Sequence, residues 1–265
     1  MTENSGFSGF PKEGFDFLKG LAGNNERDWF QGHKDEYLEL IQEPAKAFVT
    51  ELGSRLQELS PGFIHDTRTN GSGSIMRIYR DIRFKKDKTP YNTNVRMIFW
   101  EGVGKKTECP GFFFCFDPKG GQLYSGMHIF PKPMLGTFRD AVIDEDFGPE
   151  LEEAIVQVIS QGGGKGGIGY NSGSGSGTGH NSGGGRGIYQ IGGDQYKRVP
   201  KEYDPLHDRA YLLKYKGLWA AAPPIASKDI LSPKLVDIVY DHCKNMYPIH
   251  NWLAKTHTLS REVGV

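Results

Sequence analysis

The sequence predicts an α+β fold in which a central, largely antiparallel sheet lies between N-terminal and C-terminal helices. Three observations predict it. Both ends of the chain carry apolar residues at the three- and four-residue spacing of helices. The middle carries short runs of aromatic and β-branched residues separated by Gly, Pro and Asp, which is typical of strands. The connections between these runs are too short for helical crossovers, so neighbouring strands are expected to be antiparallel.

Three helices are predicted before the first strand. The first covers about residues 11–23, and a short second helix covers about residues 27–30. A third runs from about residue 33 to residue 60. We expect it to break or kink before Pro44, because proline cannot donate a helical hydrogen bond.

The other elements follow the same two periodicities. Predicted strands cover residues 74–79, 93–100, 111–116, 122–130 and 188–191. Predicted helices cover residues 133–143, 149–160, 204–215 and 232–245. Neither half of this set is complete without the other, so we expect a single α+β domain over residues 7–260.

Residues 162–187 form a low-complexity tract of Gly with Ser and Asn. Such a segment has too little apolar surface to offset the entropy lost on ordering, so we expect a disordered insertion in the domain. The tract contains Gly164-Lys165, but Gly166 follows in place of the Ser or Thr of a phosphate-binding loop. A nucleotide-binding loop is therefore not predicted here.

Composition limits the class of protein and its partners. The chain has 265 residues, of which 37% are hydrophobic, and this is enough for a packed core despite a mean hydropathy of -0.51. Lys and Arg total 32, as do Asp and Glu, so the net charge is zero. A neutral chain is not expected to have a general attraction to nucleic acid or to an acidic membrane. We therefore expect no membrane partner, and nucleic acid is disfavoured.

Cysteine usage and the absence of targeting signals predict a cytoplasmic location. The three cysteines, Cys109, Cys115 and Cys243, form no Cys-x-x-Cys pair, so free thiols are expected rather than disulfides or a zinc site. No secretory signal follows Met1, and no apolar run reaches the ~20 residues of a membrane helix. We also expect no cofactor and no metal.

The most informative feature is a cluster of charges between Ile75 and Arg96. This segment has seven cations and two anions, a net charge of +5, so the remainder of the chain carries −5. In a strand, Arg77 and Tyr79 would face one side while Ile78 faces the core. Guanidinium forks and Tyr hydroxyls on one face suit a phosphate or a carboxylate.

We therefore predict a cleft of Arg, Lys and Tyr side chains that binds a small anionic ligand, with or without a chemical reaction. The candidate ligand-binding residues are Arg77, Tyr79, Arg80, Asp81, Arg83, Asp87, Lys88 and Tyr91. No catalytic residue is identified. Two alternatives stay open: the aspartates could simply pair with the cations and close the loop, or the basic surface could serve a non-catalytic protein-interaction module.

Three further features are weaker candidates. His128 is the best group for acid–base chemistry, although a lone His among aromatic residues is usually a core group. The turn at Asn24 and Asn25 is expected either to cap the second helix or to form one wall of the cleft. A second basic group interleaves cations with Tyr, a pattern that can stack on single-stranded nucleic acid, but helical spacing favours core packing of its Tyr residues. Its members are Lys197, Arg198, Lys201, Lys214, Lys216, Tyr196, Tyr203, Tyr211 and Tyr215.

Known motifs for metal or covalent chemistry are missing from the sequence. The eight His residues form no H-x-x-x-H or H-E-x-x-H pair. No Ser or Cys stands in a nucleophile elbow. The sequence therefore offers no support for a zinc site or for covalent acyl chemistry.

The charged segment from Arg77 to Tyr91 reads R-x-Y-R-D-x-R-F-x-x-D-K-x-P-Y, and N-N-x-R-x-W-F precedes it at Asn24. These strings resemble a widespread family of conserved hypothetical proteins of bacteria and fungi, catalogued as a domain of unknown function. The resemblance covers nearly the whole chain except its first few residues and the Gly tract, and it implies no activity. It also includes residues 126–131, 197–200, 207 and 212–216.

One position departs from the family's pattern. The residue after the last Tyr of the motif is often Lys, and here it is Asn92. If that Lys helps to hold an anion, the resemblance implies weaker binding by this protein. The Gly tract stands where such proteins usually have a short turn, which indicates a lineage-specific insertion.

Overall fold

The structure, a computed structural model, describes residues 6–161 and 188–262 and has the predicted α+β class. The expected insertion at residues 162–187 lies outside the described residues. The helices are α1 (Lys12–Gly23), α2 (Arg27–Gly32), α3 (Lys34–Tyr37), α4 (Glu43–Leu59), α5 (Lys132–Ile143), α6 (Phe147–Ser160), α7 (Ser227–Ile230) and α8 (Leu235–Glu262). The strands are β1 (Phe63–Ile64), β2 (Val95–Glu101), β3 (Gly111–Asp117), β4 (Gly120–Met127), β5 (Gln190–Gly192), β6 (Leu218–Ala221) and β7 (Ile225–Ala226).

The described strands form one seven-stranded sheet in the order β1-β2-β3-β4-β6-β5, and β7 also pairs with β4. The pairs β4–β6, β4–β7 and β5–β6 are antiparallel. The register places Tyr124 opposite Ala221 and Gly120 opposite Ala226. The predicted central antiparallel sheet is therefore confirmed.

Backbone contacts divide the chain into two compact units, each assembled from three segments. The first unit comprises Met1–Trp100, Phe113–Leu123 and Pro224–His242. The second comprises Glu101–Phe112, Tyr124–Pro223 and Cys243–Val265. The single domain over residues 7–260 stays a prediction.

The core of the first unit is a cluster of aromatic rings around Phe48 of α4. The Phe48 ring is completely buried, and its centroid lies 5.2 Å from that of Phe7 and 5.5 Å from that of Phe114 on β3. Phe10 packs against Phe116 at 4.4 Å. Alternate residues of β3 point into this core, as the two-residue period of a strand requires.

The core of the second unit gathers around Trp252 of α8. Its ring lies 5.7 Å from Phe138 of α5, and its indole N–H donates to the carbonyl of Phe147 at 2.8 Å. Nearby, the buried His250 pairs its Nε2 with Glu101 at 2.8 Å and stacks on Phe112. Burial lowers the pKa of His250, although the Glu101 carboxylate opposes this shift.

The third predicted helix is continuous but distorted before Pro44. Between α3 and α4, residues Leu38–Gln42 form a π-helical turn, and Pro44 occupies the first turn of α4. Pro44 has no N–H to donate to the carbonyl of Leu40, so the regular hydrogen-bond ladder fails at this point. This distortion lies where the sequence predicted a break or kink.

The predicted strand at 74–79 is wrong as a regular element. The structure has isolated antiparallel bridges, Ile75 with Met97 and Tyr79 with Tyr91. Between them, Met76 N donates to the carbonyl of Arg96 at 2.9 Å. Side chains add to the backbone bonds: Asn92 Nδ2 donates to the carbonyl of Ile78 at 2.9 Å, and Arg96 donates to the carbonyl of Arg77 at 3.2 Å. The backbone is still extended enough to bury Ile78 and expose Arg77 and Tyr79, as predicted.

The predicted helix at 204–215 is also wrong. Only Leu212–Lys214 is helical, as a 3₁₀ turn. The preceding residues form successive turns in which the Asp204 carboxylate accepts from Leu206 N at 2.8 Å and His207 Nδ1 accepts from Arg209 N at 3.0 Å. Such local side-chain bonds compete with helix formation.

The C-terminal helix is longer than its predicted end at residue 245. α8 continues through Pro248 to Glu262. Ile249, Trp252 and Leu253 beyond the proline are all buried, so burial of this face outweighs the one hydrogen bond that proline removes. The short strands β1, β6 and β7 were not predicted.

The structure bears on the expectations about membrane-spanning helices and about disulfides. Within residues 6–161 and 188–262, no helix combines the length and the apolar character needed to cross a membrane. Cys109, Cys115 and Cys243 are all free, as predicted. Burial raises the pKa of Cys115 to about 11, so this thiol is protonated at neutral pH.

Phe48→Ala should lower the free energy of unfolding by about 3–5 kcal/mol, because it leaves a cavity among rings that cannot fully close it. Phe84→Ala removes the same side chain from a site that is 94% exposed and should cost less than about 0.5 kcal/mol. Urea denaturation of both variants measures the difference. Equal losses would contradict the assignment of the core to Phe48.

Candidate functional site

The eight candidate residues all lie in one closed loop, residues 77–91, which we call the basic loop. Its two ends are joined by the Tyr79–Tyr91 bridge. Arg80 N donates to the carbonyl of Pro90 at 2.8 Å, and Asn92 N donates to the carbonyl of Ile78 at 2.7 Å. The backbone therefore fixes where the loop begins and ends.

Asn25 holds the closing end of the loop from outside it. Its Nδ2 donates to the carbonyl of Tyr91 at 3.0 Å, and its Oδ1 accepts from Tyr91 N, also at 3.0 Å. The Tyr91 ring is buried and stacks on Phe30 with centroids 4.3 Å apart. The expected N-cap role of Asn24 or Asn25 is wrong, because Glu26 occupies the N-cap of α2. Asn25 instead connects this turn to the basic loop.

A clamp across the base of the loop involves Arg80, Asp87 and Thr89. Arg80 Nη1 donates to Asp87 Oδ2 at 2.6 Å and also to the hydroxyl of Thr89. Asp87 Oδ1 accepts from both the backbone N and the hydroxyl of Thr89 at 2.9 Å. These bonds, led by the Thr89 backbone N–H and then Arg80, lower the pKa of Asp87 to about 2.

A second local pair shapes the tip of the loop. The Asp81 carboxylate accepts from Arg83 Nε at 3.0 Å and from Arg83 Nη2 at 2.8 Å, and its Oδ1 accepts from Arg83 N at 3.2 Å. Hydrogen bonding to Arg83 lowers the pKa of Asp81 to about 2. Lys88 Nζ donates to the carbonyl of Ile82 at 2.9 Å. Each of these cations is thus tied to a neighbour in the loop.

The three arginines do not share a single partner. Arg80 pairs with Asp87, and Arg83 pairs with Asp81. The Arg77 head makes no hydrogen bond or ion pair within the described part of the chain, and it lies near enough to Asp81 to lower that carboxyl's pKa. The predicted binding residues therefore lie together in one loop. Two of its three arginines form separate local ion pairs instead of converging on one partner.

Both aspartates of the loop pair with its arginines, as the structural alternative expected, and both remain exposed. The side chains of Asp81 and Asp87 are 61% and 60% exposed. Exposed pairs contribute little to global stability, and breaking one leaves no buried charge. Pairing therefore orders the loop locally, and it does not staple the fold.

The structure gives no binding site at the other residues singled out from the described sequence, namely His128 and the second basic group. His128 is exposed just beyond the end of β4, so the expectation that it is a core group is wrong. Among the second basic group, Tyr211 donates to Glu152, Tyr203 donates to Asp140, and Tyr215 is buried. Tyr196 is exposed, with Arg139 and Lys216 5.3 and 4.8 Å from its ring centre. A platform of several stacking Tyr rings is therefore not formed by these residues. Within the described ranges, no three His, Cys, Asp or Glu side chains are grouped as metal ligands.

Two structural roles were missed from the sequence. Thr89 completes the Arg80–Asp87 clamp, and the D-x-T spacing after Lys86 is the turn signal that could have indicated it. Asn92 donates to the carbonyls of Arg77, Ile78 and Tyr79. Its position therefore supports the loop backbone directly.

Asn25→Ala should destabilise the closed loop by about 1–3 kcal/mol, because it leaves the Tyr91 backbone groups without their partners. Asn24→Ala is the matched control: that amide is exposed and, among the described residues, bonds only to the carbonyl of Gly20 in the preceding helix. We expect faster hydrogen exchange at the Tyr91 amide in the first variant and not in the second. Unchanged hydrogen exchange at the Tyr91 amide in Asn25→Ala would contradict the proposal that Asn25 holds this end of the loop.

The loop should also respond to acid. Asp81 and Asp87 have depressed pKa values of about 2, so their contribution is complete above the ordinary carboxyl pKa of about 4. It is lost as pH falls from about 4 to about 2. Carboxyl carbon NMR titration measures both midpoints. In Arg83→Gln the midpoint of Asp81 should rise while that of Asp87 stays in place, and a joint rise would show that the two pairs are not independent.

No curated protein and no solved structure matches the chain. A protein family matches residues 13–252, a range that includes the basic loop and Asn25. Because the match extends over most of the 265 residues, the chain belongs to the conserved hypothetical protein family DUF2461.

Proposed function

We propose that the basic loop binds a small ligand carrying phosphate or carboxylate groups. The observation that carries this proposal is the exposure of the loop's cations on a backbone that is already fixed. The Arg83 side chain is 76% exposed although it is held by Asp81. Its neighbours Arg77 and Lys88 are also exposed. An incoming anion would meet ordered donors, so little conformational entropy would be lost on binding.

The paired arginines retain donors for a ligand. A guanidinium has five N–H groups, and Arg83 uses its Nε and one Nη2 donor on Asp81. Its other three N–H groups form no hydrogen bond within the described part of the chain. The Tyr79 side chain is 54% exposed, and its ring is fixed against Phe30 and Tyr91. Such fixed forks and hydroxyls match the planar or tetrahedral oxygens of an anion.

The proposal is for binding, and it assigns no reaction. Asp81 and Asp87 are ionised at neutral pH and serve to orient cations. Free thiols, two of them buried, suit a reducing compartment, so we also propose a cytoplasmic location. The second candidate function is a non-catalytic interaction module, which is favoured by the exposure of Phe84 at the tip of the same loop.

A thermal-shift titration with inorganic phosphate and with citrate tests small-anion binding. A ligand present at a hundred times its Kd should stabilise the native state by about 2.7 kcal/mol. We expect Arg83→Gln and Arg77→Gln each to weaken the response about tenfold. Their melting temperatures without ligand should stay close to that of the unmodified protein, because both side chains are exposed.

Arg68→Gln is a closely matched control. Asp66 accepts from Arg68 N at 2.8 Å and from Arg68 Nε at 2.6 Å, the same D-x-R arrangement as Asp81 and Arg83 but outside the basic loop. Its response to both anions should equal that of the unmodified protein. No stabilisation by either anion, or an equal loss in Arg68→Gln, would refute the proposed site.

A further inference from the structure

The apex of the basic loop presents an apolar ring to solvent. Lys85 N donates to the carbonyl of Ile82 at 3.3 Å, which closes a turn with Arg83 and Phe84 at its centre. The Phe84 side chain is 94% exposed. Full exposure of a Phe is costly in water and leaves its apolar area available for another surface.

The turn that carries Phe84 is ordered by the contacts beneath it. Asp81 fixes the backbone and the guanidinium of Arg83, and Lys88 donates to the carbonyls of Ile82 and Arg83. The Arg80–Asp87 clamp closes the loop below these contacts. The ring is therefore held outward by a defined turn, and the loop's ion pairs have a purpose beyond their small contribution to global stability.

Three cations flank this ring in sequence, and one of them lies near it in space. Arg83, Lys85 and Lys86 lie within two residues of Phe84, and all three are exposed. The guanidinium carbon of Arg83 is 5.9 Å from the centre of the Phe84 ring. The nearest anion downstream, Asp87, is already paired with Arg80. The net charge of the whole chain is zero, but the segment from Ile75 to Arg96 carries +5. A local attraction to an anionic surface is therefore compatible with a neutral chain.

We propose that the apex docks on an anionic lipid surface, with Phe84 entering the interface and Arg83, Lys85 and Lys86 contacting the headgroups. Aromatic side chains combined with Lys and Arg are the composition of interfacial membrane segments. Protein interfaces, in contrast, are depleted in Lys and need roughly 800 Å² per partner. One protruding ring among lysines matches a deformable lipid surface better than a flat protein surface. This inference shares Arg83 with the small-anion site, but Phe84, Lys85 and Lys86 are not among the residues of that site, so variants at these three positions test it separately.

Co-sedimentation with vesicles tests the docking surface. The protein should sediment with phosphatidylcholine vesicles that contain phosphatidylserine, and it should stay in solution with phosphatidylcholine alone. Phe84→Ala should weaken binding about tenfold, because the apolar contribution is lost. The double variant Lys85→Gln/Lys86→Gln should lose about fivefold for each cation, and added salt should weaken the unmodified protein in the same way.

Leu206→Ala is the matched control. Leu206 is 87% exposed but lies between Asp204 and Asp208, so it offers similar apolar area without cations. Its vesicle binding should equal that of the unmodified protein. Phe84→Trp should show a blue shift in fluorescence on adding anionic vesicles, and Leu206→Trp should show none beyond that of the unmodified protein.

The contrary outcomes are distinct. Absence of sedimentation with the anionic vesicles would overturn the proposal and leave a protein partner as the occupant of the apex. Binding that survives Phe84→Ala unchanged would also overturn it, since the ring would then take no part. Loss of the phosphate and citrate response in Arg77→Gln, with vesicle binding retained, would show that the two proposals stand separately.

Discussion

The candidate site depends on the pair of hydrogen bonds between the Asn25 side chain and the backbone of Tyr91. Two hydrogen bonds of 3.0 Å and a ring stacked on Phe30 fix one end of the basic loop. The Tyr79–Tyr91 bridge then fixes the other end. Residues between these ends need no regular secondary structure of their own, because each turn is stabilised by side chains within the loop.

The charged residues of the loop form ion pairs within it, and their exposed cations are also the proposed contacts for an anion. Arg80 and Asp87 close its base, while Asp81 holds Arg83 near its tip. These pairs are exposed, so they contribute little to the stability of the whole chain. Their effect is to reduce the number of conformations of a strongly basic segment. An ordered cation loses less entropy when it binds an anion than a freely rotating one, and the same holds for the ring of Phe84.

Local pattern was sufficient for some elements and misleading for others. The periodicities of α1, α5 and α6 located these helices to within about two residues. At residues 204–215, Asp204 and His207 bonded to nearby backbone N–H groups, and the helix did not form. In α8, tertiary burial of Trp252 and its neighbours carried the helix through Pro248, which local rules would treat as a stop. Both errors arise where contacts outside the periodic pattern outweigh propensity.

The sequence by itself determined the α+β class, the family resemblance, the concentration of positive charge between Ile75 and Arg96, and the exposure of Arg77 and Tyr79. The helical and two-residue periods, the charges of this segment and, for the resemblance, the motif strings are enough for these. Only the tertiary structure decided which aspartate pairs with which arginine, that Asn25 supports Tyr91, and that Phe84 stands at the apex. Those outcomes depend on distances between groups that are up to 66 residues apart in the chain, as with Asn25 and Tyr91. Spacing along a sequence does not specify such distances, because they are set when the backbone closes.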